Sequence, residues 1–297
     1  MRHPSAAKSI IGTLIAITYK DGLLDNFDHR VLDFFAERTP AELDDKKRAI
    51  TVQNLLDMTS GLDWTEPLDG RPETSRKMVN SRDWIKFILD RPMANAPGET
   101  FNYNSGNSQL LSAIIIKLTE TDVADYATAK LFGPLGISTF SWAGAPKFRT
   151  GGFGLAMLPR DMAKIGYLYL RNGEWEGQQL FPSGWADKPL HATIDMKLRV
   201  EHDLRYSNSF WALPNKHVFM AVGYHCQLIM VFPNLDIVAV TTARDFCPFS
   251  RMADFISGAV TSETALPPDP AGAELLEAAI RKISAHKAAE SGSTELR

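Results

Sequence analysis

Apolar residues occupy nearly every face of the segment 9–20, SIIGTLIAITYK, and this pattern predicts a helix buried on all sides. Gly22 follows it and can supply the left-handed residue that ends such a helix. Capping residues and helical spacing predict five more helices: VQNLLDM after Thr51, SRDWIKFILD from Ser81, NSQLLSAIIIKLTE, residues 122–131 and residues 161–171. Between these helices, residues 62–80 are rich in loop-forming residues.

The pattern changes near the end of the chain to short runs of β-branched and aromatic residues. Turns such as Pro233-Asn234 separate four runs, which predict an antiparallel meander: SNSFWALP, HVFMAVG, CQLIMVFP and DIVAVTTA. The last run is nearly continuously apolar, as in a strand inside a larger sheet. ADFISGAV predicts a helix, and the polar tail 287–297 predicts disorder.

This order of elements favours an α+β fold, an antiparallel sheet flanked by helices with a mostly helical inserted domain. We expect the sheet domain to comprise 1–24 and 146–286, and the helical domain 25–145. The 297 residues, 44% of them hydrophobic, suffice for one large domain or two interlocked ones.

Composition narrows the possible functions. The net charge of −3 gives no electrostatic basis for nucleic-acid binding, and no apolar run reaches the roughly 18 residues of a membrane span. The histidines are scattered and no H-E-x-x-H is present, so we expect no zinc or other metal site. Cys226 and Cys247 are expected to be small buried hydrophobes, and a bond between them is left open.

Three short motifs could carry chemistry, and the first is Ser5-Ala-Ala-Lys8. Residues three apart share a helix face, so Lys8 could take the proton of a nucleophilic Ser5 if burial lowered its pKa. The alternative is a serine that caps the helix and a solvated lysine. The buried helix that follows favours a Lys8 inside the protein.

The second motif is NYNSGNS, in which Tyr103 and Ser105 precede a buried helix. A lysine nearby would favour a phenolate-like Tyr103 that acts as a base, and Ser105 or Asn104 could relay a proton or orient the substrate. The alternative is a loop tyrosine packed on the helix.

The third motif is AVGYHCQLIMVF, a predicted hairpin. Its second strand could offer backbone N–H groups to an oxyanion, and His225 could add a donor. An ordinary hairpin with an exposed histidine is the alternative. A further glycine-rich run, TGGFG at 150–154, lacks the lysine and the preceding strand of a phosphate loop.

Together these motifs, with ITVQNLLDMTSGLDW, APGETFNYNSGNSQLLSAII and GGFGLAMLPRDMAKIGYLYLRNGEWEGQQLFPSGW, resemble the serine β-lactamase and penicillin-binding-protein superfamily. The chain looks most like its class C-like branch, the family VIII carboxylesterases and 6-aminohexanoate-dimer hydrolases. The resemblance covers about residues 2–260. It implies a β-lactamase/transpeptidase-like fold and a serine hydrolase that cleaves small esters or amides without a cofactor.

By this resemblance, Ser5 is the acylated nucleophile, Lys8 and Tyr103 are its catalytic partners, and the backbone N–H groups of Ser5 and Gln227 form the oxyanion hole. Ser105 stands where class C β-lactamases have asparagine, which weakens a β-lactamase assignment. The segment Tyr224-His225-Cys226 replaces the Lys-Thr-Gly motif, as substrate-binding or relay residues. Without that lysine, substrates that lack a carboxylate are favoured.

The family carries a helix and two sheet strands before the serine motif, and we expect that this sequence lacks them. Two alternatives therefore stay open: a non-catalytic or truncated ligand-binding protein, and a class C-like β-lactamase or D-aminopeptidase. Localisation is left open between cytoplasm and periplasm, because a signal could have been lost with that segment. The oligomeric state is also open, and the expected partner is a small-molecule ester or amide.

Overall fold

A computed structural model describes residues 5–66, 73–145, 148–196, 203–245, 248–262, 264 and 267–292. The chain divides into two compact units, one up to Ser257 and one from Gly258 onwards. Both the predicted helical domain and the meander fall in the first unit. The boundaries at residues 25 and 145 therefore stay predictions.

The first part of the chain is helical, as predicted. Its α-helices are α1 Ala7–Lys20, α2 Asp45–Ala49, α3 Val52–Leu56, α4 Thr74–Val79, α5 Trp84–Leu89, α6 Ser105–Thr119 and α7 Val123–Ala127. A 3-10 turn, Val31–Phe35, follows α1, and a π-helical turn, Thr128–Phe132, extends α7.

Helix α1 forms the centre of this unit and confirms the helix predicted from the apolar pattern. All residues from Ala7 to Thr18 are buried, and the chain leaves the helix through Gly22 at φ +74°. Helix α6 packs on one side of α1, and the middle strand of the large sheet contacts it as well. This central position allows α1 to hold side chains away from water.

The second part contains the strands and three further helices. The small pairs consist of β1 Phe140–Trp142 with β4 Leu155–Met157, β2 Gly144–Ala145 with β3 Phe148–Arg149, and β5 Glu174–Trp175 with β6 Gln178–Gln179. The large sheet consists of β7 Arg205–Ser207, β8 Phe210–Leu213, β9 Val218–Gly223, β10 Gln227–Phe232 and β11 Ile237–Thr241. The helices are α8 Pro159–Leu170, α9 Phe249–Gly258 and α10 Pro270–Gly292.

The large sheet is the predicted antiparallel meander. Its order among the described strands is β11-β10-β9-β8-β7, so each strand pairs with its sequence neighbour. In register, Gly223 faces Gln227 and Phe232 faces Ile237. The apolar β11 lies at the edge, and all its residues are only half-buried.

Several element boundaries differ from the predictions. Helix α5 begins at Trp84 rather than Ser81, because the carboxylate of Asp83 caps it by accepting from Lys86 N–H at 3.0 Å. The loop-rich region contains the short helix α4, and the sequence patterns missed strand β7. Helix α10 extends to Gly292, through part of the predicted disordered tail, and residues 293–297 lie outside the described residues. None of the described helices combines the length and the apolar content that crossing a membrane requires.

Close packing of α8 on the sheet depends on Gly166. A Cβ at this position would lie 2.4 Å from Val238 Cγ1 and 2.8 Å from Ile229 Cγ2, both on branched side chains with little freedom to move. The missing side chain therefore lets α8 lie directly against β10 and β11.

We expect Gly166→Ala to lower the free energy of unfolding by about 1–3 kcal/mol, because overpacking outweighs the better helix propensity of alanine. Gly258→Ala is the matched control, since nothing lies within 4 Å of a Cβ there. Denaturant unfolding of both variants measures the effect. Equal stability of Gly166→Ala and the wild type would contradict this packing.

Candidate active site

Lys8 lies in the first turn of α1 and is 2% exposed. Its Nζ donates to the Ser105 hydroxyl at 3.1 Å and to the Gly152 carbonyl oxygen at 2.7 Å. These acceptors replace part of the hydration that the amine loses on burial. The prediction that Lys8 lies inside the protein is confirmed.

Burial lowers the pKa of Lys8 from 10.5 to about 8, although the negative charge of Glu66 acts in the opposite direction. A lysine with this pKa is partly neutral near neutral pH and can accept a proton. This property separates Lys8 from a solvated surface lysine.

Tyr103 precedes α6 and presents its ring to Lys8, whose Nζ lies 4.7 Å from the ring centroid. Edge-on contacts with Tyr206 and Trp211, at 6.3 and 5.7 Å between centroids, hold the ring in place. Burial raises the pKa of Tyr103, and the charge of Glu66 raises it further, whereas a hydrogen bond with the Ser5 side chain lowers it. Burial and the charge of Glu66 thus act against the phenolate form of Tyr103 that a nearby lysine was expected to favour.

Ser5 does not cap α1. The N-cap residue is Ala6, which makes no side-chain capping bond, and the Ser5 carbonyl accepts from Lys8 N–H at 2.9 Å. The side chain of Ser5 instead interacts with Tyr103, whose pKa it lowers. This arrangement argues against the alternative in which Ser5 is a helix cap.

Ser105 begins α6 and is buried. The cap of this helix is Asn104, whose side-chain oxygen accepts from Asn107 N–H at 3.2 Å. Ser105 keeps its hydroxyl for Lys8, and its own N–H donates to Glu66 Oε1 at 2.7 Å. In this motif Asn104 therefore caps helix α6, and Ser105 contacts Lys8.

The loop with Gly151 and Gly152 packs on α6 at a distance that a side chain would prevent. A Cβ on Gly151 would lie 2.0 Å from the Ser108 carbonyl oxygen, and one on Gly152 would lie 2.9 Å from Ser105 Cβ. This approach brings the Gly152 carbonyl within reach of Lys8. The TGGFG run thus supplies a hydrogen-bond acceptor for Lys8.

The β9–β10 hairpin carries the third motif. Tyr224 is 62% exposed and its ring contacts that of His225 at 4.0 Å, while His225 and Cys226 have φ near +60°, at 58° and 61°. The Gln227 side chain donates to the carbonyls of His225 and Ala243, at 3.0 and 2.6 Å. The described contacts of Tyr224 and Gln227 thus lie within the hairpin and the adjacent segment.

Cys226 is buried, as expected, and it is disulfide-bonded, a possibility that the sequence left open. Cys247 lies outside the described residues. Among the residues that the structure describes, no group of three His, Cys, Asp or Glu side chains could hold a metal ion.

A family model described as Beta-lactamase matches residues 2–257, which is most of the chain. The chain belongs to the beta-lactamase family. The predicted superfamily and α+β fold are thereby confirmed. The candidate site lies between α1, α6 and the loop that contains Gly151 and Gly152.

Relatives of this beta-lactamase family member include hydrolases. A 6-aminohexanoate-dimer hydrolase from Paenarthrobacter ureafaciens is 23% identical over 266 residues, and these cover 80% of this chain and 64% of that protein. The chain thus spans less than two thirds of the length of this curated relative.

Solved structures show the same fold. A Bacillus anthracis protein with the provisional name 6-aminohexanoate-dimer hydrolase aligns with a TM-score of 0.69 and 19% identity, covering 87% of this chain and 73% of that chain. A family VIII carboxylesterase aligns with a TM-score of 0.62 and 14% identity, covering 95% and 83%.

The structure brings Ser5, Lys8, Tyr103 and Ser105 together, as the motifs predicted. Sequence reasoning missed Gly152 and Glu66. The adjacent glycines were a signal for the first, because they indicate close backbone approach. No pattern indicated Glu66, since a single glutamate in a loop-rich region is ordinarily solvated.

Proposed function

We propose that this beta-lactamase family member is a serine hydrolase that cleaves small esters or amides through an acyl-enzyme on Ser5. The buried Lys8, with a pKa of about 8, is the observation that carries the proposal. It lies one helical turn from a serine whose side chain interacts with Tyr103. Esterase and amide-hydrolase names among the relatives support this reaction class.

In the first half of the reaction, Ser5 Oγ attacks the substrate carbonyl carbon. Neutral Lys8 accepts the hydroxyl proton, with the Tyr103 hydroxyl as the relay between them. The carbonyl oxygen becomes an oxyanion, and the backbone N–H groups of Ser5 and Gln227 are its proposed donors. Collapse breaks the bond to the alcohol or amine, which takes a proton from Tyr103, and Lys8 returns one to Tyr103.

In the second half, water attacks the acyl-enzyme and gives its proton to the same pair. The new oxyanion collapses, Ser5 regains its proton, and the carboxylic acid leaves. Ser105 and Gly152 hold the Lys8 amine in place through both halves, because they accept its hydrogen bonds. Tyr224, His225 and Cys226 form the proposed substrate-side wall, whose exposed aromatic and imidazole groups suit an uncharged acyl or leaving group.

We expect Ser5→Ala to abolish hydrolysis of p-nitrophenyl butyrate, because the nucleophile is lost. The unfolding temperature should not change, because Ser5 is only half-buried. Ser183→Ala, an exposed serine, is the control. Mass spectrometry after p-nitrophenyl acetate or a fluorophosphonate probe should place the adduct on the Ser5 peptide. Activity of Ser5→Ala near that of wild type would remove Ser5 from the mechanism, and absence of turnover and adduct in wild type would favour a non-catalytic ligand-binding protein.

Tyr103→Phe should lower kcat by at least about a hundredfold, the usual scale for a positioned acid or base. The ring contacts with Tyr206 and Trp211 survive this change, so the fold should be unaffected. Tyr167→Phe, at an exposed tyrosine, is the matched control. A change in KM with kcat preserved would make Tyr103 a binding residue instead.

Hydrolysis of nitrocefin should be slow or absent compared with that of p-nitrophenyl butyrate. Tyr224 stands where a lysine would bind the carboxylate of a β-lactam, and it offers no positive charge. Comparison of kcat/KM for the two substrates on one enzyme preparation is the measurement. Nitrocefin turnover that rivals ester turnover would support the class C-like β-lactamase alternative.

A further inference from the structure

A carboxylate that the proposed reaction does not use lies beside its lysine. Glu66 is 7% exposed, although glutamate is rarely buried without partners. Its Oε1 accepts from Trp64 Nε1 at 2.8 Å and from Ser105 N–H at 2.7 Å, and its Oε2 shares the hydroxyl proton of Ser75, at 3.2 Å, with Glu73. Three donors from three different segments therefore converge on one buried carboxylate.

One of these donors lies at the N-terminus of α6, a helix of 15 residues. The first N–H groups of a helix have no partner within it, and the helix dipole favours a negative charge there. Glu66 satisfies the N–H of Ser105, and the hydroxyl of the same Ser105 accepts from Lys8. A chain of two hydrogen bonds thus connects the carboxylate to the lysine.

We propose that Glu66 is a positioning residue of the active site, which anchors the start of α6 and supplies the negative charge that faces Lys8. This inference rests on the proposed function for its consequence in catalysis. This anchor holds two residues that contact Lys8, Ser105 and Tyr103, because Tyr103 lies two residues before Ser105. Glu66 itself contacts neither Ser5 nor the substrate-side hairpin through the bonds described.

The charge of Glu66 shifts the pKa of Lys8 in a direction that can be measured. The groups that face the Lys8 amine are the Tyr103 ring, the hydroxyl of Ser105, the carbonyl of Gly152 and the carboxylate of Glu66. Burial lowers the pKa of Lys8, and Glu66 limits that fall because it stabilises the ammonium form. Removal of this charge should therefore lower the pKa of Lys8 below its value of about 8.

Glu66→Gln removes the charge and keeps the shape. The amide oxygen can still accept from Trp64 and Ser105, and the amide nitrogen can donate to Ser75 Oγ, which already donates to Glu73 at 2.8 Å. We therefore expect the unfolding temperature to change little. Glu73→Gln is the matched control, because it makes the same chemical change on the other side of Ser75, at a carboxylate outside the set that faces Lys8.

The first measurement needs no activity. Titration of ¹³C-labelled lysine by NMR, with the Lys8 signal assigned from Lys8→Met, should give a pKa of about 8 in the wild type. In Glu66→Gln it should fall, by about one unit, because the charge that stabilises the ammonium form is removed. The control should leave it unchanged.

The second measurement is the pH profile of kcat/KM for p-nitrophenyl butyrate. Since neutral Lys8 is the proposed base, activity rises with pH through its pKa, and Glu66→Gln should move the acid limb to lower pH by the same amount. An unchanged Lys8 pKa in Glu66→Gln would overturn the inference, whatever happens to the rate. A lowered pKa in a protein without esterase activity would support the role of Glu66 and contradict the proposed function alone.

Discussion

The constraint on which the site depends is the burial of the Lys8 amine. Moving an ammonium group out of water costs on the order of several kcal/mol unless other groups replace its hydration. Lys8 meets this cost in two ways, because it has two hydrogen-bond acceptors and a pKa low enough for the neutral form to be accessible. A helix that is buried on all sides makes the burial unavoidable.

The surrounding structure is arranged to bring those acceptors to one atom. Ser105 arrives on the first turn of α6, which packs against α1. The Gly152 carbonyl arrives on a loop whose two glycines allow contact with the backbone of α6. A methyl group at either glycine would push the loop away and leave the amine with one acceptor fewer. The absence of side chains at these two positions thus permits the close approach.

The sequence predicted most of the fold because its strongest signals are periodic. Burial of α1 follows from its apolar faces, and the meander β8–β11 follows from four separated β-branched runs. Exact starts were less predictable: Asp83 outcompetes Ser81 as a cap, since its carboxylate is the one that reaches Lys86 N–H. For the site, spacing could place Lys8 inside the protein. It could not show that burial raises the pKa of Tyr103.

Long-range contacts account for what remained unpredicted. Gly152 is 144 residues from Lys8, and Glu66 is 39 residues from the Ser105 N–H that it accepts from. Neither contact has a local pattern, because each depends on how separate segments meet at α1 and α6. Two influences on Lys8 oppose each other: burial by the surrounding segments favours the neutral amine, whereas the Glu66 carboxylate favours the ammonium. With a pKa of about 8, the lysine can both lose and regain a proton near neutral pH.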